Sequence, residues 1–259
     1  MLTPTSQEGW LRAGMFVRGR LSPATRLERS RLDVDVRQLA ARIAGMALVF
    51  AAILFLSAGT IAWRAGWMFL ILFFAFVIAL STWLRRFDPD LLAERLSGIG
   101  KADQKAWDKI VLAVVAVGFV AWLALMGLDA VRYRWSQVPI GVQVAGALIL
   151  LCSDYIFYLT FRENTYLSPA VRVQAERAHT VVCTGLYGYV RHPMYAGFAM
   201  FAVGTPLLLG SWYGVLGGFV LIVLVAWRAV LEERTLRDEL PGYREYMGHV
   251  RYRFVPHVW

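Results

Sequence analysis

The sequence predicts an all-α fold, a polytopic bundle of about five to six membrane segments. Three observations predict it: the apolar share of the chain, the grouping of apolar residues into blocks of spanning length, and the one-sided placement of Lys and Arg between the blocks. The chain has 259 residues, of which 58% are hydrophobic and 17% charged. That is more apolar side chain than a water-soluble domain of this size can bury, so lipid has to be part of the solvent. The net charge of +9 raises the question of nucleic acid. The basic residues, however, sit between apolar blocks and form no face interleaved with aromatics, which argues against nucleic acid and for membrane lipids with anionic headgroups as the counterion.

Residues 1–41 read as a cytoplasmic N-terminal segment, with Pro4, Pro23, Gly14 and Gly19 interrupting it and a short helix near Leu27 to Arg37. Its start lacks the charged end, short apolar run and small-residue cleavage site of a secretory signal, so insertion is expected to rely on the first span. A spanning helix needs about 20 apolar residues, because only a helix satisfies its own backbone in hydrocarbon. Residues 42–161 hold four such segments, Arg42 to Trp63, Gly66 to Leu84, Ile110 to Val131 and Val138 to Phe161, expected to form the substrate side. Residues 162–259 hold a long polar stretch up to Pro193 and then two more segments, Met194 to Leu209 and Tyr213 to Leu231. The first of these is short, and Gly210, Ser211 and Trp212 turn it back into the second as a helical hairpin.

The loops on one side carry only Arg64, Arg132 and Arg134, and the remaining Lys and Arg lie on the other. Cytoplasmic loops are enriched in both residues, which places the two termini in the cytoplasm. Trp63, Trp67, Trp135, Trp212 and Tyr213 gather near the opposite boundary as an aromatic belt. Asp129 belongs to that boundary. Asp154 lies inside the fourth segment, where a carboxylate is a functional candidate, and hydrogen bonding to Tyr158 or a neighbouring helix is the competing reading. Gly214 and Gly218 form a GxxxG, which favours close helix packing. Cys152 and Cys183 have neither metal-site nor disulfide spacing, so free thiols are expected. No metal is implied, and His249 and His257 in the tail are read as solvated or packing residues.

The chemistry concentrates in VCTGLYGYVRHPMYAG. Gly185 and Gly188 allow tight turns, Arg191 and His192 follow, and Pro193 suits a helix start. His192 and Tyr195, three residues apart, share the face of that start, where free backbone donors favour an anion. At the far end of the hairpin, WRAVLEERTL places Arg228, Glu232 and Glu233. A hairpin brings its two ends side by side, so these groups converge on one pocket at the lipid boundary. Blander readings stay open beside this one: an Arg-His-Pro anchor at the membrane surface, and an i,i+4 ion pair between Arg228 and Glu232.

On GLYGYVRHPMYAG (Gly185 to Gly197), the hairpin, LEER (Leu231 to Arg234) and the tail YREYMGHVRYRFVP (Tyr243 to Pro256), the sequence resembles a family of membrane methyltransferases. That family includes isoprenylcysteine carboxyl methyltransferase and the phospholipid N-methyltransferases. The resemblance covers roughly the last hundred residues. It implies S-adenosylmethionine as cofactor, held by Gly185, Tyr187, His192, Tyr195, Glu232 and Glu233, with Tyr243 and Tyr246 packing the tail over it or anchoring the tail at the interface. It also implies that Arg191, and Arg228 with one residue of offset, hold an acceptor carboxylate.

Methyl transfer from a sulfonium is an in-line displacement that needs an oriented, desolvated nucleophile more than a strong base. Arg offers a planar fork suited to a carboxylate. An amine or thiol acceptor would instead call for a base, for which Glu233 and His192 are candidates. The acceptor is expected to be lipophilic: a small molecule, a phospholipid or a prenylated chain end. Two other functions compete, a nicotinamide-dependent reductase of the sterol-reductase type and a non-enzymatic scaffold or transporter. The first wants a phosphate-cradling Gly-rich turn and the second inverted repeats, and neither pattern is visible in the sequence.

Overall fold

Apolar runs of this length become helices because hydrocarbon offers no other partner for the backbone. The computed structural model of the protein describes residues 35–98, 104–256 and 258–259, which fall in one compact unit. The N-terminal helix expected near Leu27 to Arg37 lies almost wholly outside the described residues.

Helix α1 (Val36–Ala58) starts where the Asp35 carboxylate accepts from the Arg37 N–H at 2.9 Å and ends at Gly59, whose φ of +73° only glycine adopts freely. Helix α2 (Arg64–Phe87) leads directly into the short α3 (Pro89–Leu96), where Asp88 caps the Leu91 N–H at 3.0 Å and Pro89 takes the first helical position. Helix α4 (Ala106–Gly127) continues through a π-turn, Leu128–Arg132. After it come α5 (Ile140–Glu163), α6 (Pro193–Leu209), α7 (Trp212–Glu239) and α8 (Tyr243–His249). Five of these stretches are long and apolar enough to cross a membrane, namely α1, α2, α4 with its π-turn, α5 and α7, while α6 is an apolar helix of 17 residues. The protein is an integral, multi-pass membrane protein.

The helices overlie the six segments predicted from hydropathy with shifted ends: the first stops at Ala58, short of the predicted Trp63, and the largest extensions are at the start of α1 and the end of α7. Helix α1 begins before Arg42, since VRQLAAR favours helix despite its polarity. Helix α7 continues beyond Leu231 to Glu239 because LEERTLRDE contains no residue that stops a helix before Pro241. That polar extension carries Glu232 and Glu233 on the helix itself.

Helices α5 and α6 pack backbone to backbone. A Cβ on Gly146 would meet the Leu208 nitrogen at 2.4 Å, and one on Gly204 would meet the Leu150 nitrogen at 2.8 Å. The hairpin forms as predicted, turning at Gly210 with φ +84° and at Ser211, which caps the Gly214 N–H at 2.8 Å. The GxxxG of α7 is a packing device, since a Cβ on Gly218 would lie 2.2 Å from the Ala202 carbonyl of α6. Leu54, Phe69, Leu123, Met126, Leu150 and Leu209 form the buried centre, while Leu48, Leu56, Val117 and Ile140 face outward, where lipid would meet them.

At the end of the bundle holding the turn between α6 and α7, Trp135 packs against Tyr213 with ring centroids 5.9 Å apart. Asp129, expected at an interface, is instead fully buried there. Its Oδ2 accepts from the hydroxyls of Ser136 at 2.7 Å and Ser211 at 2.5 Å, because the π-turn folds the carboxylate inward onto the hairpin turn. Asp154 is also buried and makes no hydrogen bond to Tyr158 among the described residues; both line an apolar groove between α2 and α5. Cys152 and Cys183 are free thiols. The opposite end of the bundle gathers α3, the connection 164–192, α8 and the C-terminal tail.

Closeness of α5 and α6 sets the position of everything at that end. Gly146→Ala is expected to cost about 1–3 kcal/mol by forcing the helices apart. Gly141→Ala, whose new methyl meets nothing within 4 Å, serves as the control and should leave thermal unfolding in detergent unchanged.

Candidate active site

The connection between α5 and α6 has little regular structure and is held by side chains reaching back to its backbone. Gln174, fully buried, donates from Nε2 to the Tyr166 carbonyl at 2.7 Å, and Arg177 donates to the Thr165 carbonyl at 2.8 Å. The tail completes it: Val190 and Tyr252 form a parallel bridge, and the N–H groups of Arg191 and His192 donate to the carbonyls of Tyr252 and Arg253, both at 2.9 Å. Unpaired donors just before a helix start are thereby satisfied by the tail. His192 then caps α6, with Pro193 as its first residue.

The inner ends of the hairpin meet as the sequence predicts. The Tyr195 hydroxyl donates to Glu232 Oε2 at 2.6 Å and accepts from Arg228 Nη1. Arg228 also donates from Nε to Asp108 Oδ1 at 2.9 Å and from Nη2 to the Pro169 carbonyl at 3.0 Å. The i,i+4 pair of Arg228 and Glu232 exists only as a 3.9 Å approach, with the Tyr195 hydroxyl bonded to both.

Glu232 and Glu233 are neighbours on a helix and so point about 100° apart. Glu233 turns toward the tail: Oε1 accepts from Arg191 Nε at 2.6 Å and lies 3.2 Å from His192 Nε2, while Oε2 accepts from Arg253 Nε at 2.8 Å. Arg191 spends Nη1 on the carbonyls of Val250 at 2.7 Å and Arg251 at 2.8 Å. Its Nη2 and the Oε1 of Glu232 make no hydrogen bond among the described residues.

Between these groups and the connection lies a cleft of about 810 Å³ of empty space, part of it open to solvent. Of the residues singled out in the sequence, Tyr187, Arg191, His192, Tyr195, Arg228 and Glu232 line it, whereas Gly185 and Glu233 do not. Gly185 has a φ of +56°, and a Cβ there would sit 2.6 Å from the Glu163 side chain, so its part is to make the turn. Tyr166, Tyr243 and Tyr246 add flat apolar walls. Burial pushes the phenols of Tyr187, Tyr243 and Tyr246 up, so all three stay neutral at physiological pH.

Sequence reasoning missed Asp108, Glu94 and Arg172. Asp108 is fully buried in the first turn of α4, accepting from Gln104, from the Val171 N–H at 2.8 Å and from Arg228. Glu94 of α3 holds Arg172 through Nη2 at 3.1 Å and the Ser168 hydroxyl at 2.7 Å. Charged residues flanking a span read as solvated. The one available signal was an acidic residue at a helix start, where the helix dipole favours it.

Glu233 is the common partner of Arg191 and His192 at the start of α6 and of Arg253 in the tail. Glu233→Ala is expected to cost about 3–5 kcal/mol, as breaking a buried ion pair does, and to appear as a lowered melting temperature. His179 lines the cleft stacked on Tyr166 at 4.4 Å, and burial, then the charges of Arg177 and Arg172, lower its pKa to about 4. The folded state therefore holds His179 neutral, and the unfolded chain binds the proton first. Stability from this group is complete above the unfolded value of about 6.5 and is lost as pH falls toward about 4. His179→Gln should flatten that part of the stability profile.

Residues 147–238 match the isoprenylcysteine carboxyl methyltransferase (ICMT) family. The chain is also similar to the protein-S-isoprenylcysteine O-methyltransferase of Schizosaccharomyces pombe, 41% identical over 71 residues that take in 27% of this chain and 28% of the relative. It is similar to that of Saccharomyces cerevisiae, 31% identical over 114 residues (41% of this chain, 46% of the relative), and to that of Rattus norvegicus, 26% identical over 100 residues (38% and 34%). The chain thus spans less than half the length of these relatives. The stretch from within α5 to the end of α7, which supplies most of the cleft, matches the isoprenylcysteine carboxyl methyltransferase family, and α1 to α4 lie outside the match.

Proposed function

We propose that the protein is a membrane carboxyl methyltransferase that uses S-adenosylmethionine and acts on a lipophilic, isoprenylcysteine-type acceptor. The observation that carries this reading is the junction of Tyr195, Glu232 and Arg228 at the inner end of the hairpin, facing the cleft, within the stretch that matches the family.

The residues of the cleft fit the cofactor chemically. Glu232 keeps Oε1 for a cation or a ribose hydroxyl, and the rings of Tyr166, Tyr187, Tyr243 and Tyr246 offer faces for an adenine. Tyr195 holds Glu232 in place from the same side. Bound S-adenosylmethionine supplies an electrophilic methyl group. The acceptor carboxylate is ionised at neutral pH, so the chain has to orient it and exclude water, with no proton to remove. Arg228 is positioned at the cleft by Asp108 and the Pro169 carbonyl, and Arg191 also lines it, with no hydrogen bond to its Nη2 among the described residues. Both are placed to attract the carboxylate and to leave it one productive direction.

The acceptor enters from the bilayer, and the cofactor from the side holding most of the Lys and Arg, which the positive-inside rule makes cytoplasmic along with both termini. The family match favours this reading over the reductase and the scaffold.

Isothermal titration of the purified protein with S-adenosylhomocysteine tests it, and absence of binding by folded protein would sink it. Glu232→Gln is expected to weaken that binding by about tenfold or more while leaving the melting temperature of the ligand-free protein nearly unchanged, since a charged hydrogen bond to ligand is lost without a buried ion pair being broken. Loss of methyl transfer from labelled cofactor into membrane lipid or a prenylated acceptor should accompany it.

A further inference from the structure

The carboxylate-binding role that the family resemblance implies for Arg191 and Arg228 leaves one cation of this end of the bundle without an occupation. Arg191 is taken up by Glu233 and two tail carbonyls, and Arg228 by Asp108, Tyr195 and the Pro169 carbonyl. Arg95, at the end of α3, has no carboxylate within ion-pair distance among the described residues. Its guanidinium lies over the ring of Phe161 at 5.0 Å, and its one hydrogen bond among the described residues is a long 3.5 Å contact from Nη1 to the Leu167 carbonyl. Burial, with the positive charge of Arg228 second, lowers its pKa to about 10, and the Tyr195 phenol pulls the other way; Arg95 is within electrostatic reach of both.

Arg95 is half-buried, and a guanidinium partly withdrawn from water with no carboxylate beside it can take up an anionic ligand without breaking an existing ion pair. Everything around Arg95 fixes it in place. Its neighbour Glu94 is bound by Arg172 and the Ser168 hydroxyl, which pins α3 to the strip of connection that walls the cleft. Phe161 belongs to a buried apolar cluster with Leu84, Leu91 and Leu92, against which Leu80 and Trp83 pack. Leu80 and Trp83 also line the groove between α2 and α5, together with Phe76, Ala79, Asp154, Tyr155 and Tyr158. Packed apolar side chains therefore link the groove to the guanidinium of Arg95, which approaches the Leu167 carbonyl two residues from the Pro169 carbonyl that Arg228 binds.

We propose that Arg95 is the anchor for the carboxylate of an amphiphilic acceptor, shared with Arg228, and that the groove between α2 and α5 receives the acceptor's apolar chain. This rests on the carboxyl methyltransferase reading and deepens it. It places the recognition of the acceptor's charged end on α3, outside the stretch that matches the family. The planar fork of Arg suits a carboxylate, and the aromatic residues Phe161, Trp83 and Tyr158 suit a flexible, unsaturated chain.

The test uses the intact protein in detergent and two probes that compete for the acceptor site, N-acetyl-S-farnesylcysteine and its carboxamide, with S-adenosylhomocysteine binding measured in parallel. The parent protein should bind the acid more tightly than the amide by about tenfold or more, the value of a charged hydrogen bond. In Arg95→Gln that preference should collapse toward unity, with S-adenosylhomocysteine affinity unchanged. Arg95→Lys, which keeps the charge without the fork, should retain part of it. Trp83→Ala should weaken acid and amide alike. An unchanged preference in Arg95→Gln, or no preference in the parent, overturns the proposal. Failure of the parent to bind S-adenosylhomocysteine overturns the methyltransferase reading instead, since acid and amide binding are read independently of the cofactor.

Discussion

Glu233 is the carboxylate on which three separate segments converge: Arg191 and His192 from the start of α6, Arg253 from the tail, and its own helix α7. The buried guanidinium of Arg191 would be expensive to bury alone, and one anion at the bundle's polar end offsets that cost while also holding Arg253. With the tail drawn in, its carbonyls can accept the N–H groups of Arg191 and His192. The start of α6, and with it Tyr195, then has one available position. The geometry of the cleft follows from that constraint.

A second set of buried charges extends the same logic toward the N-terminal half. Asp108 of α4 binds Arg228 of α7 and the Val171 N–H, and Glu94 of α3 binds Arg172. Through these contacts the helices outside the family match are tied to the connection that walls the cleft. Glycine contacts at Gly146, Gly204 and Gly218 hold the hairpin against α5 and against itself, so the inner ends of α6 and α7 meet at hydrogen-bonding distance. In a membrane such close approach replaces the hydrophobic drive that lipid does not provide.

The division of labour between Glu232 and Glu233 shows how a repeated residue type acquires two roles. A rotation of about 100° between consecutive helical residues sends one carboxylate into the cleft and the other into the tail. Glu232 is then free to meet a ligand, and Glu233 is committed to holding the site together. Arg191 and Arg228 both line the cleft while making structural bonds, and Arg95 of α3 has no ion-pair partner among the described residues.

Sequence alone determined the helices and the hairpin, because membrane spans are set by apolar length and turns by Gly210 and Ser211, both local properties. It also determined that RHPMY and LEER come together at one end of the bundle, since they lie at the two ends of one hairpin. Tertiary structure decided which of the two glutamates faces the cleft, that Gly185 makes a turn without lining it, that Asp129 is buried, and that Asp108 and Glu94 of the N-terminal half bind Arg228 and Arg172 of the cleft wall. These facts depend on which side chain meets which between distant parts of the chain, as in the contacts Arg228 to Asp108 and Arg172 to Glu94. No local pattern encodes them: a charged residue beside a span looks the same in sequence whether it ends in water or in a buried ion pair.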